Sequence, residues 1–233
     1  MSTAILVQDM EYRWPGALQP TLRIAHWQVE QGESVFLYGP SGSGKTTLLN
    51  LLAGIHVPRR GRVDVLGQSL GALSARRRDR FRARHIGYIF QQFNLVPYLS
   101  VAENIALASH FGNPGWLRGK GAAQTLQRRT ADLLERLGLE PALLARKAQA
   151  LSVGQQQRVA VARALINQPR LIIADEPSSA LDSDARDGFL DLLLECAAHS
   201  DSAVVFVSHD RSVAHHFDAS VSLSTLNCAS GGV

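Results

Sequence analysis

Residues 34–54 constrain the fold more than any other stretch: the apolar run SVFLY passes into GPSGSGKT and then, without a break, into TLLNLLAG. That order is strand, glycine-rich turn, helix, and the turn is a complete GxxxxGK[ST] over Gly39–Thr46. Glycines let such a turn wrap with its N–H groups inward, and the following helix adds its N-terminal partial positive charge, so the segment is an anion cradle. Gly39, Pro40, Ser41, Gly42, Ser43, Gly44, Lys45, Thr46 and Thr47 are its residues. Lys45 is placed to reach β- and γ-phosphates, and the Thr46 hydroxyl to reach Mg²⁺. With ordinary residue usage the pattern arises by chance about 0.01 times in such a chain. The loop is shared by kinases, GTPases, helicases and transport ATPases, so other residues must decide among them.

Apolar runs of four to six residues alternate with longer segments of helical period, the pattern of an α/β fold with a mainly parallel sheet. The expected strands are Ser34–Tyr38, Ile86–Phe90, Leu171–Ala174 and Ala203–Val207, each ending at residues able to do chemistry, where parallel sheets place ligands. LVQDMEYRW and IAHWQVEQGE predict an antiparallel β layer ahead of them. Strand signals vanish between about 92 and 165, where Gln124–Leu137 has helical spacing and the stretch 111–121 is rich in Gly and Pro. The expectation is one domain over 1–233, with a core of about 1–91 and 166–233 and an inserted helical subdomain of about 92–165.

With 45% hydrophobic and 19% charged residues in 233, the chain is expected to be a soluble globular protein. No apolar run approaches a bilayer span and the start has no leader pattern, which predicts a cytosolic location. The net charge of +4 names no partner by itself. Cys196 and Cys228 form no paired framework and are expected to be free, small apolar packers.

LIIADEP delivers Asp175 and Glu176 at the end of a strand. One carboxylate can hold a Mg²⁺ shell while the next faces a γ-phosphate, and Glu176 is the better group to polarise an attacking water. LSVGQQQ leads into RVAVARALI, a helix whose start offers Ser152 and Gly154 to a phosphate.

LSVGQQQRVAVARAL followed by QPRLIIADEPSSALD resembles the signature, second acidic motif and D-loop of the ATP-binding cassette (ABC) ATPases, and the phosphate loop fits the same family upstream. The resemblance covers Leu6 to about Ser222 and implies a P-loop ABC-ATPase fold, with ATP as substrate and Mg²⁺ as its ion. It implies Glu176, His209 in VVFVSHD and Gln91 in IFQQFN as catalytic residues, with Gln92 the alternative to Gln91. Thr46, Gln91 and Asp175 are its implied metal residues, Ser152, Gly154 and Gln155 its signature contacts, and Asp182 its D-loop acid. Tyr12 resembles the ring that stacks on adenine, with Trp14 the alternative. One departure is Val153, where the family usually has a second glycine; either it slows closure on ATP or it points away and changes nothing.

In this family the signature of one chain faces the phosphate loop of another, so the resemblance implies a head-to-tail dimer, expected to be a homodimer. It also implies separate transmembrane permease subunits, and a peripheral place on the cytoplasmic face of the cell membrane through them. The phrase around Gln91 is most like the macrolide-export and lipoprotein-release branch. A soluble ABC ATPase acting on nucleic acid or ribosomes is the competing function, but such members carry coiled-coil arms, zinc modules or two cassettes, and none is visible here. No nucleic-acid partner is expected. Arg76, Arg77, Arg78, Arg80, Arg82 and Arg84 read as a solvated helix face, and His215 and His216 as surface residues.

Overall fold

The computed structural model describes residues 2–112, 117, 121–179 and 181–230. Most of the Gly/Pro-rich stretch 111–121, and Ala180 of the SSALD segment, lie outside them. The N-terminal expectation is met by β1 (Thr3–Tyr12) and β2 (Leu22–Glu30), antiparallel with Val7 opposite Trp27 and Tyr12 opposite Leu22. Two further strands, β4 (Arg60–Val65) and the short β5 (Gln68–Ser69), complete a four-stranded sheet of order β2-β1-β4-β5.

The second sheet is parallel, in the order β6-β7-β8-β3-β9. Its strands are β3 (Ser34–Tyr38), β6 (Ile86–Ile89), β7 (Leu171–Asp175), β8 (Ala203–Val207) and β9 (Ala219–Ser222). Successive strand residues point to opposite faces, and here both faces are buried, which is why these strands read as unbroken apolar runs. Val35, Leu37, Ile173, Val205 and Val207 enter a core shared with the antiparallel sheet and with α1 (Lys45–Leu52). Phe36, Ile172, Ala174, Val204 and Phe206 enter a second core beneath the helices.

Those helices are α3 (Val101–Gly112), α4 (Ala122–Arg136) and α5 (Val153–Leu165) between β6 and β7, and α6 (Ser183–His199) before β8. The short α7 (Leu223–Leu226) follows β9. The arginine-rich run forms α2 (Ala75–His85), which has no buried residue. It is only partly a solvated face: Arg78 donates to the carbonyls of Gly54 and Leu73, and Arg82 to that of Ala53, while Arg76, Arg77 and Arg80 are exposed. Both cysteines are free, but only Cys196 packs; Cys228 is exposed, against expectation. No helix among the described residues is long and apolar enough to cross a membrane.

Candidate active site

Parallel order brings the C-terminal ends of β3, β6, β7 and β8 to one edge, and the chemistry-bearing residues follow those ends. Gly42 (φ 76°) and Gly44 (φ 101°) take the left-handed backbone that turns the chain from β3 into α1. Gly44 caps α1 with no side-chain bond, and no acidic residue occupies the first turn, so the N–H groups there are available to an anion. Lys45 is buried and donates from Nζ to the carbonyls of Gly39 (2.9 Å) and Pro40 (3.1 Å). Beside it, the buried Ser43 Oγ has no hydrogen-bond partner, an orphaned group of the kind a ligand oxygen satisfies.

β7 delivers Asp175 and Glu176 against this loop. Burial holds the Asp175 carboxyl above its ordinary pKa, and the Thr46 hydroxyl, which donates to it, and the Lys45 ammonium oppose that shift. A half-buried carboxylate beside a threonine hydroxyl is a hard oxygen donor set that fits Mg²⁺. Glu176 sits at φ 47°, a strained backbone for a side-chain-bearing residue, fixed by its N–H donating to Val207 O (2.9 Å). Its two oxygens divide: Oε1 lies 4.0 Å from Lys45 Nζ and Oε2 lies 3.1 Å from His209 Nδ1. A carboxylate only accepts, so Nδ1 carries the shared proton. His209 is 64% exposed by side chain, open to a ligand, whereas Glu176 is 20% exposed.

Gln91 follows β6, whose Ile89 pairs with Ala174, so Gln91 is exposed beside the strand end that carries Asp175. Gln92 is exposed as well. The loop beyond turns through two left-handed residues, Phe93 (φ 57°) and Asn94 (φ 49°). Arg163 of α5 grips both of their carbonyls, at 2.5 and 2.6 Å.

The two candidate stacking rings differ in exposure. Tyr12 is only 6% exposed: its ring stacks on His56 (5.4 Å, 25°), and Trp14 packs edge-on against it (5.4 Å). Tyr12 is thus covered in this arrangement, whereas Trp14, which also meets His56 edge-on (4.9 Å), is 41% exposed.

The signature opens α5. Ser152 is its N-cap in a capping box, with Gln155 N–H donating to Ser152 Oγ (3.3 Å) and Ser152 N–H to Gln155 Oε1 (3.1 Å). A side chain at Gly154 would meet nothing within 4 Å, so its small size serves no packing within its own chain. Val153 is 50% exposed and does not enter the core. Ser152, Gly154 and Gln155 line a cleft of about 370 Å³ with Glu140, Arg146 and Arg158, and no residue of the 39–47 loop lines it. The structure thus brings Lys45, Thr46, Asp175, Glu176 and His209 together and sets the signature apart.

Sequence reasoning missed two connecting side chains. Gln157, 2% exposed, donates to the carbonyl of Pro177 (3.0 Å), tying the signature helix to the turn after Glu176. Arg163 ties the same helix to the Gln91 loop. Asp182 caps α6, accepting from Ala185 N–H (2.9 Å). His216, expected at the surface, is largely enclosed, with Nδ1 3.0 Å from Asp191 Oδ1.

Comparison with known proteins agrees with this geometry. The sequence profile of the ABC transporter family matches residues 22–179. The lipoprotein-releasing system ATP-binding protein LolD of Pseudomonas syringae is 41% identical over 82% of this chain and 81% of its own. An ABC transporter ATP-binding protein of Escherichia coli, YbbA, whose role is uncharacterised, is 40% identical over 82% of this chain and 80% of its own. Among solved structures, the dimeric post-hydrolysis state of the ATP-binding cassette MJ0796 bound to ADP and Pi superposes with TM-score 0.82 at 33% identity. It covers 94% of this chain and 93% of that one. The strand-edge cradle, the Asp175–Glu176 pair and the separate signature are thus explained together: the chain belongs to the ABC transporter family, as an ATP-binding subunit that hydrolyses ATP with Mg²⁺.

Proposed function

We propose that this chain powers a separate membrane permease of the lipoprotein-release and macrolide-export type, working as one half of a head-to-tail homodimer on the cytoplasmic face of the cell membrane. The carrying observation is the Glu176 carboxylate held between Lys45 and His209 at the open end of the parallel sheet. ATP's β- and γ-phosphates enter the 39–47 cradle, where Lys45 exchanges the Gly39 and Pro40 carbonyls for phosphate oxygens. Thr46, Asp175 and Gln91 would hold Mg²⁺, which neutralises phosphate charge. Glu176 orients the attacking water and takes its proton, while His209 holds the carboxylate in place; ADP and phosphate are the products. Trp14 takes the adenine face.

The separation of the signature cleft from the phosphate loop favours pairing, because Ser152, Gly154 and Gln155 would complete the site of the other copy. We read 92–165 as the helical subdomain of a single domain. Its border with the core carries the permease contact: Phe90, Asn94, Arg163 and the 72%-exposed Phe111 surround a groove of about 210 Å³ next to Gln91. Likeness to the LolD relatives supports the release branch. The test is purification of the tagged chain from detergent-solubilised native membranes. A multi-span permease in stoichiometric amount is expected; recovery only in the soluble fraction with nucleic acid or ribosomes would overturn the reading.

A further inference from the structure

His209 sits on the turn that follows β8, with its side chain 64% exposed. Beyond Val207 the chain leaves the sheet, and residues 211–216 form a short 3₁₀ helix capped by Asp210, whose carboxylate accepts from Ser212 N–H (2.9 Å). Asp210 N–H in turn donates to Ser208 Oγ (3.1 Å). These bonds shape the turn, while the fully buried Val213 in the second core and the Arg211 guanidinium over the Tyr38 ring (4.3 Å) seat it against the sheet.

α6 adds the charged grip nearest to His209. The Arg186 guanidinium donates to Asp210 Oδ2 from Nη1 and to Ser212 Oγ from Nη2 (3.2 Å), a two-pronged grip on the residues flanking Arg211. Ser212 N–H and Arg186 together hold the Asp210 carboxyl below its ordinary range. A second clasp lies further along, where His216 meets Asp191 of the same helix. Arg186 is itself largely enclosed, 19% exposed by side chain, so its charge is poorly solvated and its one close acidic partner in the histidine turn is Asp210. Its Nε faces Asp187 at 3.7 Å, a weaker alternative within the helix.

Arg186 also belongs to the first turn of α6. Its backbone N–H donates to the carbonyl of Asp182 (3.0 Å), the residue that caps the helix and stands in the SSALD segment. One helical turn therefore carries both the D-loop acid and the grip on the histidine turn. A tilt or shift of that turn moves Asp210, and with it the His209 Nδ1 that meets Glu176 at 3.1 Å.

We propose that Arg186 is a positioning residue for hydrolysis: through Asp210 it sets where His209 meets Glu176, and so links the D-loop end of α6 to the catalytic carboxylate. This rests on the proposed roles of His209 and Glu176. Neither Arg186 nor Asp210 touches the phosphates in this reading, so ATP binding is not the quantity they control.

The experiment compares Arg186→Ala, Arg186→Lys and the charge-exchanged pair Arg186→Asp with Asp210→Arg against the parent and His209→Ala, measuring steady-state hydrolysis, binding of a fluorescent ATP analogue and melting temperature. Arg186→Ala is expected to lower kcat about tenfold or more, the equivalent of ~1.4 kcal/mol, with nucleotide affinity held. Arg186→Lys, which keeps the charge and loses the fork, should fall between. The exchanged pair should recover part of the rate lost by Arg186→Ala, which a general loss of stability would not do. Parental kcat in Arg186→Ala, with His209→Ala inactive, overturns the inference alone. Parental kcat in His209→Ala overturns the underlying role of the histidine instead. If Arg186→Ala does not fold, Arg186→Lys and the exchanged pair decide: parental kcat in the first, or no activity in a folded exchanged pair, counts against the inference.

Discussion

Gln157→Met isolates the tie between the signature helix and the turn that follows Glu176. Gln157 is 2% exposed and its Nε2 donates to Pro177 O at 3.0 Å. Methionine has nearly the same length and volume, so the substitution opens no cavity; it removes one donor and leaves a buried carbonyl unpaired. That desolvated acceptor is worth about 1–3 kcal/mol. For a chain of this size each kcal/mol moves the melting temperature by about 2–4 °C, giving an expected fall of about 2–12 °C. The same bond holds the turn that follows Glu176, so kcat should drop while ATP affinity holds. Differential scanning fluorimetry and a phosphate-release assay read both. A Gln157→Met protein that melts within 1 °C of the parent and turns over at the parental rate would refute the bracing role.

Trp14→Ala should weaken binding of a fluorescent ATP analogue by about 5- to 150-fold, the equivalent of ~1–3 kcal/mol of base stacking, whereas Tyr12→Phe should leave it unchanged; the reverse pattern would return the adenine contact to Tyr12. Asp175 is raised in the folded chain, so without Mg²⁺ its half-buried charge lowers stability as pH rises from the unfolded value of about 4 through the raised one. Asp175→Asn should therefore melt above the parent at pH 7, match it below about pH 4, and lose the extra stabilisation that Mg²⁺ gives with ATP. Equal melting at pH 7 would mean that the carboxylate carries no such penalty.

The parts of this protein legible in its sequence are those whose cause is local. β3 and β8 were bounded correctly because a strand buried on both faces is an unbroken apolar run, VFL within SVFLY and AVVFV, flanked by turn residues. The phosphate loop, the Asp175–Glu176 pair and the Ser152 cap are likewise consecutive residues whose spacing is their chemistry. β4 and β9 escaped because RGRVDV is exposed over its first half and ASVS is a small, half-buried edge strand. Tyr12 and Trp14 are two residues apart and chemically alike; His56, brought over by α1 and the turn after it, stacks on Tyr12 and meets Trp14 edge-on, and nothing local in the sequence marks that difference. Gln157, Arg163 and Arg186 were invisible for a related reason: their partners are backbone carbonyls or acids 20, 69–70 and 24 residues away, and a single sequence carries no mark of such pairs.

The most direct test of the central claim is the solution mass of Glu176→Gln with ATP and Mg²⁺, read by size-exclusion chromatography with light scattering alongside its hydrolysis rate. Loss of the carboxylate that takes the proton from water should slow turnover by about 10²–10⁴-fold. ATP binding should persist, and the protein should accumulate as a dimer that ADP does not support. A Glu176→Gln protein that hydrolyses ATP at the parental rate, or that binds ATP and stays a monomer, would contradict the account.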